Sequence, residues 1–349
     1  MSGFDSFLGN EKLIERLKRD VAALRISHAY IIEGAEGSGK RTLARLICAA
    51  VSCKGNNGPC MECTSCSKIM RDQAPDVITV TAEKGKVQLG VDVVRSVRED
   101  SAYAPNELPK KFYIVPFADT MNDAAQNALL KILEEPPEHV MFMLLSENAD
   151  NLLSTIRSRA PILRLEALTD EIVSEHLKST DEAAKKLFDR DPDAFGAGVK
   201  LARGSIGKAL ELVNGKRAAE CLEFYKSAEK YLELLAARRD AVSELNFYEF
   251  ATKLANSKER EKLGEIYSLL ADAARDLVAC KLSDEPQTVF YTTAEKARAV
   301  ADNFALGKLM ALVDVFSNAK RTLERNANVS LSQVCTFCDA VAATRTTRK

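Results

Sequence analysis

The run AYIIE (residues 29–33) passes directly into GAEGSGKRT (34–42), and no other stretch limits the fold so tightly. A short apolar run that ends in glycine reads as a buried strand. A glycine-rich turn and a helix follow it. In that order the turn and the helix N-terminus can wrap a phosphate chain with backbone N–H groups, while a lysine neutralises the terminal phosphates. Gly34, Gly39 and Lys40 satisfy the G-x-x-x-x-G-K spacing, and the candidate nucleotide-contacting set is Gly34, Gly37, Gly39, Lys40, Arg41 and Thr42. The residue after the lysine normally gives a hydroxyl to Mg²⁺. Here it is Arg41, and Thr42 stands one position on, turned about 100° around the helix. The alternative reading is a tightly packed strand-to-helix turn that binds nothing.

Further apolar runs, DVITVT (76–81), FYIV (112–115), VMFMLL (140–145) and PILRL (161–165), alternate with helical stretches at 91–100 and 123–135. Such alternation predicts an α/β domain with a parallel sheet flanked by helices and ligands at the carboxyl ends of the strands. Leu13, Ile14, Leu17, Val21 and Leu24 recur at helical spacing ahead of the first strand. Beyond residue 166 the strand signal stops and the pattern is helical, with breaks expected at 189–198, 201–207, 245–249 and 282–287.

An ATPase also needs an acidic pair at the end of a later strand to hold Mg²⁺ and orient water. The strand in KFYIVPFADTM is left by Pro116 and Phe117, and the nearest carboxylate, Asp119, lies beyond that position. With Arg41 this makes two missing metal-handling features. The expectation is ATP or ADP held without hydrolysis.

Nine cysteines, four of them crowded between Cys53 and Cys66, fit a metal site in a reducing compartment better than a disulfide framework. Cys53, Cys60, Cys63 and Cys66 stand as C-x6-C-x2-C-x2-C, a spacing that can close a tetrahedron around a structural Zn²⁺ with no position open to water. Four free thiols on a loop are the alternative. Cys335 and Cys338 form a second C-x2-C on an apolar helical pattern and read as core residues, as do Cys48, Cys221 and Cys280. The 49 Lys and Arg balance the 50 Asp and Glu, so no global field draws the chain to DNA or to a membrane. No signal-peptide core and no run of about 18 apolar residues is present, which predicts a cytoplasmic protein without a membrane partner.

RISHAYIIEGAEGSGK, the cysteine insert after the loop helix, NDAAQNALLKILEEPPEHVMFMLLSENADNLLSTIRSRAPILRL and NANVSLSQV resemble bacterial DNA polymerase III clamp-loader subunits. The likeness is close over residues 1 to about 165 and loose beyond. It implies an AAA+ P-loop core (1–165) with a zinc insert (53–66), an all-α lid (166–215) and an all-α collar (216–349) that joins five subunits. Within the family the departures look like the delta-prime type, a non-motor subunit, rather than the gamma/tau ATPases. Ser158 and Arg159 match the first two residues of the family's SRC motif, with Ala160 where cysteine would stand. The resemblance makes Arg159 a finger acting in trans on the ATP of a neighbouring subunit. Alone, Arg157, Arg159 and Arg164 would read as charges solvating a helix end.

Gly207 stands where ATPase members carry a second sensing arginine, with Lys208 next, and Glu147 and Asn148 occupy the first-sensor region. The implied partners are gamma/tau and delta subunits in a hetero-pentamer, with the sliding clamp and primer-template DNA reached through the complex. The rivals are an active gamma/tau-type ATPase and a stand-alone zinc-dependent nucleic-acid-binding module. The latter is disfavoured by the charge balance and by the lack of interleaved aromatics in the cysteine cluster. The last third could equally close on itself as a bundle.

Overall fold

The computed structural model describes residues 3–55, 58–82, 89–214, 216–237, 240–256, 258–286, 288–291, 293–325 and 327–344. The proposed lid boundary at Gly215, the end of the 282–287 break and Asn326 of the NANVSLSQV stretch lie outside them. The chain divides into two compact units, residues 1–173 with 203–208, and residues 174–202 with 209–349.

The first unit is built on five parallel strands: β1 (Ala29–Glu33), β2 (Val77–Thr79), β3 (Lys111–Val115), β4 (Val140–Ser146) and β5 (Ile162–Arg164), in the order β2-β3-β4-β1-β5. Every residue of β3 and β4 is buried, so these strands are covered on both faces, which accounts for their continuous rather than alternating apolar sequence. β1 lies between β4 and β5, with Ala29 opposite Phe142 and Ile31 opposite Ile162.

One face carries α1 (Glu11–Ala22), α2 (Lys40–Ser52) and α3 (Thr64–Met70), closed by Ile14, Leu17, Ile32, Leu43, Ile47, Met143 and Leu145. The other carries α4 (Val91–Ser101), α5 (Asp123–Glu134) and α6 (Ser154–Arg157), closed by Ile31, Val94, Leu129, Phe142, Leu144 and Ile156. The α4–β3 connection is held by the buried Asp76. Its carboxylate accepts from the backbone N–H groups of Asn106 (2.7 Å), Glu107 (2.6 Å) and Leu108 (2.8 Å).

The rest is helical: α7 (Asp170–Thr180), α8 (Glu182–Arg190), α9 (Pro192–Leu201), α10 (Ile206–Val213), α11 (Lys216–Ala237), α12 (Ala241–Ala251), α13 (Arg260–Leu282), α14 (Ala294–Ala301), α15 (Leu306–Glu324) and α16 (Val329–Thr344). The second unit closes over Tyr231, Phe247, Tyr267, Leu270, Phe316 and Phe337. Asp276 of α13 organises the stretch before α14 by accepting from the N–H groups of Val289 (3.0 Å), Phe290 (2.7 Å) and Tyr291 (3.0 Å).

Three sequence expectations are corrected. The break expected at 189–198 shrinks to Asp191, which ends α8 and caps α9 by accepting from Ala194 N at 3.1 Å, with Pro192 at the first helical position. Residues 245–249 lie inside α12, because burial of Phe247 and the Asp240–Ser243 capping box outweigh the weak helix propensity of LNFY. Cys335 and Cys338 are exposed. α16 is apolar on most sides, and its inward face is chosen by Phe337, Val341 and the buried Gln333, whose side-chain amide exchanges two hydrogen bonds with the Ala255 backbone.

Candidate functional site

β1 delivers the loop to the carboxyl edge of the sheet, where Gly34 N donates to Ser146 O at the end of β4 (3.1 Å). The turn needs left-handed backbone at Gly37 (φ 69°) and Gly39 (φ 92°), and α2 starts at Lys40. The Lys40 ammonium lies within the turn and donates to Gly34 O (2.6 Å) and Ala35 O (2.9 Å). Partial burial pushes its pKa below the ordinary lysine value, against the opposing pull of Glu147, Asp119 and Glu36.

The start of α10 rests on the same loop. Ser205 Oγ donates to Glu36 O (2.8 Å), and Gly207 N to Gly37 O (3.2 Å). A Cβ at Gly207 would lie 2.9 Å from Gly37 Cα, so only glycine permits this approach. At the position expected to hold a sensing arginine, main chain therefore meets main chain.

Arg41 does not point a charge at the loop. Its guanidinium donates to Asp72 Oδ2 (3.1 Å) and to Thr79 Oγ1 at the end of β2 (3.3 Å), and Arg45 shares Asp72 (2.6 Å). Thr42 is exposed on the next position of α2. At the end of β3, Phe117 is 57% exposed and takes a left-handed turn (φ 54°). Asp119 follows, and its Oδ2 accepts from the backbone N–H groups of Glu147 (3.0 Å) and Asn148 (3.2 Å). The nearest carboxylate after β3 is thus tied to the segment that follows β4.

The sulfurs of Cys53, Cys60, Cys63 and Cys66 all lie within 4.8 Å of one another. Four zinc–sulfur bonds of about 2.3 Å require sulfurs roughly 3.8 Å apart, so the cluster fits a tetrahedral metal ion with small closure. Backbone N–H groups face the sulfurs: Gly55 and Cys60 on Cys53 (3.3 and 3.4 Å), Cys63 on Cys60 (3.3 Å) and Cys66 on Cys63 (3.5 Å). The Cys66 N–H, followed by that of Lys54, brings the Cys63 thiol down to about 6. Burial drives the Cys66 thiol the other way, to about 12, and its sulfur lies 3.7 Å from Ala49 O. A bound dication would supply the charge that makes Cys66 a thiolate. The four cysteines can hold a metal ion, and the insert that carries them packs on the N-terminal turn, where Gly3 N donates to Pro59 O (2.6 Å).

Arg159 follows α6. Its Nη1 donates to Thr155 O (3.0 Å) and Ser158 Oγ (3.2 Å), and its Nη2 lies 3.0 Å from Glu134 Oε1 at the end of α5. The side chain remains 36% exposed. Arg157 instead pairs with Asp150 (2.5 Å) and Arg164 with Glu33 (2.7 Å), so the three arginines have separate partners. Ala160 is wholly buried in the α5–α6 core. The segment is fixed to α5 from below: the buried Gln126 amide donates to Asn151 O (3.3 Å) and accepts from Leu153 N (2.8 Å).

Residues 9–169 match a family model described as DNA polymerase III, delta subunit. Over 212 residues the chain is 30% identical to DNA polymerase III subunit gamma of Buchnera aphidicola subsp. Acyrthosiphon pisum (strain APS), covering 60% of this chain and 57% of the relative. It is 33% identical over 270 residues to subunit tau of Bacillus subtilis (strain 168), covering 76% of this chain and 46% of the relative. Residues 9–169 are thus similar to subunits of DNA polymerase III of the delta and gamma/tau types. The chain spans about half the length of these curated relatives. Among solved structures, a DNA polymerase III gamma subunit-related protein of Thermotoga maritima aligns over 95% of this chain and 99% of its own, at 18% identity and a TM-score of 0.42.

Within the matched region, Gly34, Gly37, Gly39 and Lys40 share one turn, while Arg41 turns away from it. The four cysteines come together in a separate cluster, and Ser158 and Arg159 share the end of α6. The sequence reading missed Ser205, Gln126 and Glu134. Gln126 left a trace, as a polar residue on the buried stripe of α5 beside Ala125, Leu129 and Ile132. Glu134 stood within LEEPPEHV with no role attached to it.

Proposed function

We propose that this chain is a delta-prime-type subunit of the bacterial clamp loader, a stator that assembles with gamma/tau and delta subunits in the cytoplasm. In this reading its lid (166–215) and collar (216–349) serve the hetero-pentamer, and the complex loads the sliding clamp on primer-template DNA. The observation that carries the reading is the diversion of Arg41 to Asp72 and Thr79. The position directly after Lys40 then offers no hydroxyl to Mg²⁺, and Pro116 and Phe117 stand where the acidic pair belongs. The loop holds ATP or ADP without turnover. Cys53, Cys60, Cys63 and Cys66 hold a structural Zn²⁺.

The chemical contribution of the chain is made in a neighbour's site. A half-exposed guanidinium such as that of Arg159 can stabilise negative charge developing on a γ-phosphate, an effect worth about 10³–10⁵ in rate in other NTPases. The test is the reconstituted complex carrying Arg159→Ala. Assembly is expected to be unchanged and DNA-stimulated ATP hydrolysis to fall. Unchanged hydrolysis would refute the finger.

A second reading, an ATP-hydrolysing gamma/tau-type subunit, is favoured by the names of the relatives. Mg²⁺-dependent turnover by the purified chain, abolished by Lys40→Ala, would establish it in place of the first.

A further inference from the structure

The Arg159 side chain is supported at both ends of its guanidinium. One nitrogen is held by its own helix end, through Thr155 O and Ser158 Oγ, and the other by Glu134 Oε1 on α5. An arginine acting across an interface carries several rotatable bonds, and an unrestrained one loses that freedom each time it engages. A carboxylate 3.0 Å from one nitrogen restrains it beforehand. The pair is not buried: Glu134 is 50% exposed, so the ion pair adds little to stability. Its position at the tip of α5, beside a guanidinium still open to solvent, is suited to aiming rather than to holding the fold. The carboxylate engages a single nitrogen, which leaves other N–H donors of the fork for a phosphate oxygen.

We infer that Glu134 is a positioning residue for Arg159, orienting its guanidinium toward the terminal phosphate of a nucleotide held by a neighbouring subunit. This rests on the reading of Arg159 as a finger acting in trans. Glu134 does not touch the nucleotide and acts through Arg159. Loss of the carboxylate lets the guanidinium sample other rotamers and lowers the fraction of encounters with productive geometry.

The experiment uses the complex reconstituted from the full chain with gamma/tau and delta subunits, measuring DNA-stimulated ATP hydrolysis for wild type, Glu134→Ala, Glu134→Gln, Arg159→Ala and the double variant Glu134→Ala/Arg159→Ala. Glu134→Ala is expected to lower kcat roughly 3- to 10-fold with KM for ATP, assembly and Tm unchanged. Glu134→Gln keeps an acceptor and should fall between Glu134→Ala and wild type. In the Arg159→Ala background, Glu134→Ala should have no further effect, because the residue it orients is gone. A kcat that stays level or rises in Glu134→Ala while Arg159→Ala lowers it overturns the positioning role and leaves the finger standing. Equal losses from Glu134→Ala in both backgrounds overturn it too, since they mark a purely structural contribution. No loss in Arg159→Ala removes the finger itself, and the role of Glu134 with it.

Discussion

Arg41 Nη2 lies 3.1 Å from Asp72 Oδ2, joining the first turn of the loop helix to the chain that leaves the cysteine insert. Arg45 reaches the same carboxylate, so one acid holds two guanidiniums of α2. The residue that breaks the phosphate-loop pattern is therefore engaged elsewhere, and the start of α2 is tied to the segment after α3.

Restoring the hydroxyl is not expected to restore an ATPase. Arg41→Ser supplies one Mg²⁺ ligand but leaves Pro116 and Phe117 in place of the acidic pair. ATP turnover by the purified variant should remain at background. The exposed ion pair lost with Arg41 should cost about 0–1 kcal/mol, read from urea unfolding. Mg²⁺-dependent hydrolysis in Arg41→Ser would show that a single ligand had been the whole deficiency.

One Zn²⁺ per chain is expected by elemental analysis. Its removal by a chelator, or Cys63→Ser, should lower Tm by roughly 2–4 °C for each kcal/mol lost. Protease sensitivity should rise first around Gly3–Ser6, which packs on the insert through Gly3 and Pro59. A metal-free chain with the same Tm and the same cleavage pattern would exclude a structural ion.

Asp76 gives a pH dependence of definite sign. Burial acts to raise its pKa, but the backbone N–H groups of Asn106, Glu107 and Leu108 outweigh it and hold the carboxyl below the usual carboxylate value. The folded pKa is lower than the unfolded one, so the contribution is fully present above the unfolded value of about 3.9 and is lost as pH falls through the folded value. Asp76→Asn should cost about 1–3 kcal/mol in urea unfolding at pH 7, and the difference from wild type should shrink below about pH 4. A penalty constant from pH 7 to pH 3 would assign the effect to packing instead.

Gly207→Ala tests the meeting of loop and helix. Its methyl group would stand 2.9 Å from Gly37 Cα, and backbone on both sides must shift. A destabilisation of about 1–3 kcal/mol is expected, with faster amide hydrogen exchange at Gly207 as its bond to Gly37 O is lost. Wild-type exchange at that amide would mean that the approach tolerates a side chain.

The parallel sheet was legible because its central strands β3 and β4, buried on both faces, and its partly buried edge strands are all runs rich in apolar residues separated by helical periods, and each of the five runs read from the sequence became a strand. Breaks were less legible. Asp191-Pro192 looked like a long interruption and is a restart of the helix within one residue, because a cap satisfies the freed N–H groups locally. The exposure of Cys335 and Cys338 could not be read from α16, whose apolar residues on most sides leave its rotation to be set by packing.

Sequence alone determined the glycine spacing, the missing hydroxyl at Arg41, the missing acids at Pro116 and Phe117 and the cysteine spacing, all of which are local in the chain. Tertiary structure alone decided where the charges went. Arg41 reaches an aspartate 31 residues away, Asp119 takes N–H groups 28 and 29 residues on, and Ser205 caps a carbonyl 169 residues before it. The Asp119 pairing depends on the parallel strands β3 and β4 bringing their carboxyl ends to one edge of the sheet. Glu134 and Arg159, 25 positions apart, meet for a related reason: α5 and α6 pack on the same face of that sheet, with Gln126 and Ala160 in the contact between them.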